Sequence, residues 1–230
     1  MAKVLHGTLA GAVSGSVGSE TYSRNRYGAY VRNRAKPVMP VSTYLLNAKA
    51  ILSAQSARWN TLTDAQRAAW VTWAQTNPVM DRLGQSQVLT GHAAFVGING
   101  RLSQAGNTPI DVPPTIASPV ALSTCTATFD IGAGNVEITF APTPIGSQQK
   151  IWVQAAVVDR SSINYVKNLL KLIQISAVNQ ASPLDIETAL VARFGTLQVD
   201  QKVVLYVSVF SQLTGLLSTP RMVTGLVTST

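Results

Sequence analysis

The sequence predicts an α+β protein of several domains, because its pattern changes three times along the 230 residues. Glycine and then arginine are frequent in residues 1–41, and apolar residues recur with a helical period in residues 42–107. After residue 120 the apolar residues alternate with a period of two, as in strands. We therefore predict four regions: an extended basic arm (1–41), a helical anchor domain (42–107), a proline-rich linker (108–119) and a β-sandwich domain (120–230).

The predicted arm lies in the half of the chain that carries most of the positive charge. Residues 1–112 hold 11 of the 18 basic residues and 4 of the 10 acidic residues, a net charge of +7 out of +8. Such asymmetry favours an acidic partner, which would be a protein, a nucleic acid or a lipid. If residues 21–36 are extended, alternate side chains form one basic face with two tyrosines. We predict that this face binds the partner through Tyr22, Arg24, Arg26, Tyr30, Arg32, Arg34 and Lys36. Alternatively, Gly28 marks the turn of a hairpin.

Three helices are predicted between residues 42 and 107, each with a recognisable N-cap and end. Thr63 and Gln66 have the spacing of a capping box, in which each side chain bonds the other residue's backbone amide. Glycine and the residue before proline mark the two later ends. The predicted caps and ends are, in chain order, Ser42 and Trp59, Thr63 and Asn77, and Thr90 and Gly106.

Three of the four tryptophans lie close together in the sequence, at Trp59, Trp70 and Trp73. Trp70 and Trp73 are three residues apart, so they share one face of the second helix. Trp59 lies at the end of the first helix, where it can meet them. We predict that the three residues are the structural core of the helical domain, with an aromatic binding platform as the alternative.

Beyond the linker, the period of two predicts about seven strands with turns between them, the pattern of an immunoglobulin-like or fibronectin type III sandwich. Val136, Ile138 and Phe140 alternate after a glycine-containing hairpin turn. One helix is inserted, with Ser182 as its N-cap, Pro183 at its first position and Gly195 at its end. The near-neutral charge and the separate predicted core of residues 113–230 predict that this domain folds alone.

The sequence contains no recognisable set of catalytic or metal-binding residues. A single cysteine, Cys125, excludes an intramolecular disulfide, and two histidines without a cysteine cluster argue against a zinc site. The uncharged stretches 4–19 and 203–220 are too polar for a signal peptide or a spanning helix. We expect a protein with a binding and structural role, with no enzymatic activity, no cofactor, no metal and no membrane partner.

Two segments of the chain resemble proteins of tailed bacteriophages and prophages. The first is the glycine-rich start followed by Ser-Arg-Asn-Arg-Tyr-Gly-Ala-Tyr-Val-Arg at residues 23–32 and by two prolines at 37 and 40. The second comprises Trp59, Leu62, Thr63, Gln66, Arg67, Trp70, Leu89, Thr90, Gly91, Phe95 and Asn99. The linker Pro113-Pro114 and the predicted sandwich after it also fit. The resemblance covers most of the chain and implies a virion structural protein, assembled in the cytoplasm of a bacterial host.

The resemblance leaves the position in the particle open. The first hypothesis is a minor capsid protein of the decoration or cement kind, present in many copies and held on the major capsid protein by its basic arm. The nearest alternative is a head–tail connector or tail component, whose partners would be portal or tail proteins. A further alternative is nucleic-acid binding, in which arginines hold phosphates and tyrosines stack on bases.

Overall fold

The computed structural model describes residues 2–3, 13–26, 28–35, 42–80 and 85–229. Within these residues the chain forms four helices and four sheets whose neighbouring strands are antiparallel, which is the mixed α and β composition that the sequence predicts. The chain divides into two compact units, unit 1 (Met1–Leu46) and unit 2 (Asn47–Thr230).

Unit 1 contains a four-stranded sheet in the order β1-β4-β3-β2. Its strands are β1 (Ala2–Lys3), β2 (Gly15–Val17), β3 (Glu20–Asn25) and β4 (Gly28–Asn33). β3 and β4 form a hairpin in which Asn25 lies opposite Gly28, and Gly28 has a φ of +114°, which only glycine adopts readily. The hairpin is therefore the alternative that the chain adopts here, and not one extended segment.

The first three helices begin and end where the sequence predicts. They are α1 (Thr43–Trp59), α2 (Asp64–Thr76) and α3 (Gly91–Gln104). The Thr63 hydroxyl accepts the Gln66 amide at 3.3 Å and the Gln66 side chain accepts the Thr63 amide at 2.9 Å, so the capping box is confirmed. The Ser42 and Thr90 hydroxyls accept amides three residues on in the same way. Two short strands, β5 (Val79–Met80) and β6 (Ser86–Gln87), pair between α2 and α3.

Seven strands follow in unit 2 and form two sheets around one core, in the orders β10-β9-β12-β13 and β11-β8-β7. The strands are β7 (Thr124–Asp130), β8 (Asn135–Ala141), β9 (Gln149–Val158), β10 (Lys171–Ile175), β11 (Leu184–Asp185), β12 (Lys202–Ser211) and β13 (Arg221–Leu226). Alternate residues of β8 are buried in this core, as the period of two predicts. Gly225 lies so close to the Phe129 ring that a Cβ there would be 2.7 Å from it.

The inserted helix, α4 (Glu187–Phe194), begins later than predicted. The Ser182 hydroxyl accepts the amide of Phe140 at 3.1 Å, and Leu184–Asp185 pairs with β8 as strand β11. The prediction that Ser182 caps the helix and Pro183 opens it is wrong, because these residues join the sheet first. The helix ends at Gly195, as predicted, with a φ of +90°.

The two central strands, β9 and β12, are buried on both faces. Their odd-numbered residues face the core between the two sheets, while Trp152 of β9 and Phe210 of β12 point the other way. These two rings pack in one cluster with Trp70 and Phe95 of the helices. The predicted boundaries of the helical, linker and β regions stay a prediction, but residues from both sides of the linker share this cluster.

Candidate functional site

The hairpin of β3 and β4 contains most of the residues predicted to bind a partner, and its register divides them between two faces. Tyr22 lies opposite Val31, so Tyr22 and Arg24 share one face, because directly paired side chains point the same way. Tyr30 and Arg32 of β4 therefore point to the other face. The expectation of a single basic face is wrong for these strands, since it required one uninterrupted extended segment.

The two faces of the hairpin differ in charge. On the first face the Tyr22 hydroxyl donates to the Glu20 carboxylate at 2.7 Å, and this hydrogen bond, with the negative charge, raises the Tyr22 pKa. Glu20 and Arg24 lie on the same face, so their formal charges cancel there. The face with Tyr30 and Arg32, which we call the Arg32 face, has no acidic residue among the described strands of unit 1. The Arg32 face is therefore the more positively charged of the two.

The remaining predicted arm residues lie outside the strands. Arg26 follows β3 and Arg34 follows β4, where the Arg34 amide donates to the Ser19 carbonyl at 2.6 Å, and both side chains are exposed. Lys36 lies outside the described residues. None of the described side chains of unit 1 is buried, so this sheet has no hydrophobic core among the residues the structure describes. A sheet needs such a face, packed against another element, to be stable by itself.

The three predicted core tryptophans lie in one aromatic cluster of unit 2. Trp70 is completely buried, and its ring meets Trp73 and Phe95 edge-on, with centroids 5.9 Å and 5.4 Å away. Trp59 reaches the same Phe95 at 5.4 Å and also meets His92 edge-on. These are favourable aromatic geometries, which add to the free energy gained by burying the rings. Trp59 and Trp73 remain partly exposed.

Two indole N–H groups of this cluster, those of Trp70 and Trp73, bind the proline-rich segment. Trp70 Nε1 donates to the Asp111 carbonyl at 2.8 Å, and Trp73 Nε1 donates to the Pro114 carbonyl at 3.1 Å. The buried Asn99 side chain bonds both backbone groups of Ile110, at 2.7 Å and 3.0 Å. The proline-rich segment is thus fixed to the helices along its middle.

The prolines predict a linker at residues 108–119, and the attachment of this linker to the helices was not predicted. Two signals could have revealed it. A buried tryptophan needs an acceptor for its N–H, and a buried asparagine such as Asn99 needs partners for both ends of its amide. An ion pair between Arg58 and Asp111, with an N–O distance of 2.9 Å, adds a third contact to the same segment.

The described residues contain no group of histidine, cysteine and acidic side chains that could hold a metal ion. No helix in the described part of the chain combines the length and the apolar composition that crossing a membrane requires. Cys125 is partly buried, and burial raises its thiol pKa to about 11, against a smaller opposing effect of the Arg221 charge. The thiol is therefore protonated, and a poor nucleophile, at neutral pH.

The chain matches no protein-family model and no curated protein sequence. The resemblance to tailed-phage proteins therefore stays a prediction that rests on the sequence motifs themselves.

Proposed function

We propose that this chain is a non-enzymatic structural protein of a tailed-bacteriophage virion, most simply a minor capsid or decoration protein. Unit 1 anchors it to acidic surfaces of the shell proteins. The sequence resemblance supports the assignment to a virion. One structural observation supports the anchoring role of unit 1, because its sheet has no buried side chain among its described residues.

The free-energy balance of unit 1 explains why a partner is required. Ordering a backbone residue costs about 1–2 kcal/mol, while a hydrogen bond returns a net ~1 kcal/mol. The main compensation is the burial of apolar surface, at about 25 cal/mol per Å². The apolar side chains of the hairpin, Tyr22, Tyr30 and Val31, are only partly buried. An external surface therefore has to supply the rest of the apolar burial that offsets the cost of ordering the backbone. Exposed Arg24 and Arg32 favour an acidic surface.

We further infer that strands β7–β13 form an immunoglobulin-like or fibronectin type III sandwich with α4 inserted. The support is the strand order, in which three strands (β11-β8-β7) face four (β10-β9-β12-β13) across one core. In the proposed decoration protein this region projects from the shell.

Incorporation into particles tests the anchor directly. Replacing Arg24, Arg26, Arg32 and Arg34 with serine should leave the thermal unfolding of unit 2 unchanged and abolish incorporation. Arg160→Ser, which removes an exposed arginine of unit 2, is the matched control and should incorporate normally. Normal occupancy of the fourfold variant would contradict the proposal.

Single substitutions on the two faces sharpen this test. Arg32→Ser and Tyr30→Ser should reduce incorporation more than Arg24→Ser and Tyr22→Ser. Tyr22 and Arg24 share their face with Glu20, whose negative charge already offsets the positive charge there. Equal effects would mean that the partner contacts both faces. A cryo-EM map of the particle then locates the protein, and density at a single vertex would assign a head–tail connector instead.

The Arg32 face also favours a second candidate, because it places an aromatic ring beside a cation, as in single-stranded nucleic-acid binding. A salt titration with DNA separates the two functions. If the arginines neutralise several phosphates, the logarithm of the binding constant should fall linearly with the logarithm of the salt concentration. The slope should be about −0.7 to −0.9 for each neutralised phosphate. Binding that is no tighter than micromolar at low salt would exclude the nucleic-acid function.

A further inference from the structure

A groove of about 900 Å³ lies in unit 2, beside the aromatic cluster, and none of the predicted binding residues lines it. Its walls come from α2 and the residues after it, from α3, from the proline-rich segment and from the turn between β12 and β13. Most of the wall is apolar, and the main apolar side chains are Trp73, Pro78, Val79, Ile116, Leu216 and Leu217.

The polar groups that α2 contributes to the groove are already engaged. Trp73 Nε1 donates to the Pro114 carbonyl, and the hydroxyls of Thr72 and Thr76 donate to carbonyls of their own helix, at 3.1 Å and 3.0 Å. These groups stabilise the wall and are not offered to a ligand. Among the described residues that line the groove, Arg101 is the one with a charged side chain.

The hydrogen bonding of the Arg101 guanidinium is incomplete among the described residues. Its Nε donates to the Gly97 carbonyl at 3.1 Å, but its two terminal nitrogens have no hydrogen-bond acceptor and no ion-pair partner among the described residues. The side chain is partly buried, and burial lowers its pKa. A half-buried guanidinium without a counter-charge is unfavourable, and a carboxylate is the partner that satisfies both terminal nitrogens at once.

We propose that this groove binds an extended segment of an acidic partner protein, with an aspartate or glutamate side chain paired to the terminal nitrogens of Arg101. Apolar side chains next to that acid pack on Trp73 and Leu217. Charge complementarity supports this occupant, because the described residues that line the groove include one cation, Arg101, and no acidic residue, and the chain has a net charge of +8. The site uses none of the arm residues, so it does not depend on the proposed function.

A positional-scanning library of hexapeptides with amidated C-termini, applied to the full-length protein, tests the site without knowledge of the partner. The library should select an acid at one position with apolar residues beside it. Against the selected peptide, Arg101→Gln should bind about tenfold more weakly or worse. Arg101→Lys should recover only part of the loss, because lysine lacks the planar fork of donors.

Two controls make each outcome decisive. Arg160→Gln should bind the selected peptide as the parent does, and Arg101→Gln should retain the parent melting temperature, since it removes no internal ion pair. Selection without an acid, or unchanged binding by Arg101→Gln, would overturn the proposal. A preference for the same peptides with free C-termini would also overturn it, because the groove would then bind a chain end.

Discussion

Units 1 and 2 are both built on antiparallel sheets, but the described residues place a core only in unit 2. In unit 2, β9 and β12 bury side chains on both faces, against the second sheet and against the helices. In unit 1, β3 and β4 pair over six residues each, yet none of their side chains is buried. Strand pairing alone therefore does not make a sheet stable, because hydrogen bonds contribute little net free energy unless apolar surface is buried with them.

Removing the helical segment should have the greatest effect on unit 2. The near-neutral charge of residues 113–230 predicts independent folding, but Trp152 and Phe210 pack on the helices in the structure. We expect a fragment of residues 113–230 to aggregate or to melt without cooperativity, because both rings become exposed. Circular dichroism and calorimetry check this, and a cooperative transition near that of the full chain would show that the shared cluster is dispensable.

Trp70→Ala should destabilise unit 2 by about 3–5 kcal/mol, since it leaves a large cavity in the core. Val31→Ala in β4, a truncation of a partly buried side chain of unit 1, should alter the same unfolding free energy by less than about 0.5 kcal/mol. Chemical denaturation measures both. Similar losses in the two variants would mean that unit 1 contributes to the cooperative core.

Asn99→Ala should have a smaller effect, about 1–3 kcal/mol, because it leaves the backbone groups of Ile110 without their partners. The loosened segment should also be cleaved faster by protease within residues 108–114. The exposed Asn168→Ala serves as the control. Unchanged cleavage would indicate that the tryptophan hydrogen bonds alone hold the segment.

Ionisation of the Cys125 thiol at high pH is the change with the smallest expected effect on unit 2. Its pKa of about 11 in the folded chain, against about 8.5 when unfolded, means that folding favours the neutral thiol. Stability from this group is complete below about pH 8.5 and is lost as the pH rises towards 11. At pH 8 a thiol reagent should label the native protein far more slowly than the denatured protein. Equal labelling rates would show that Cys125 is not shielded.

Features that depend on neighbouring residues could be predicted from the sequence, whereas those that depend on distant pairing could not. The capping box of Thr63 and the end of α4 at Gly195 follow from residues within a few positions of each other. The late start of α4 depends on Ser182 meeting Phe140, 42 residues away. The second buried face of β9 and β12 was missed because alternation identifies one buried face, and only the tertiary structure shows that the helices cover the other.

The candidate binding residues of unit 1 and the groove of unit 2 also depend on the pairing of distant residues, which could not be predicted from the sequence. Composition identified the basic residues of unit 1, but their distribution over two faces depends on the register of the β3–β4 hairpin. The position of Arg101 in the groove could not be read from the sequence either, because Trp73 and Leu217 reach the same groove from distant parts of the chain.

Hydrogen exchange of the free full-length protein, followed by mass spectrometry, tests most directly the claim that unit 1 needs a partner surface. Backbone amides of β3 and β4 should exchange at close to unprotected rates, while those of β9 and β12 remain protected to the limit of global unfolding. In assembled particles the amides of β3 and β4 should become protected. Protection of β3 and β4 in the free protein equal to that of β9 and β12 would contradict the account.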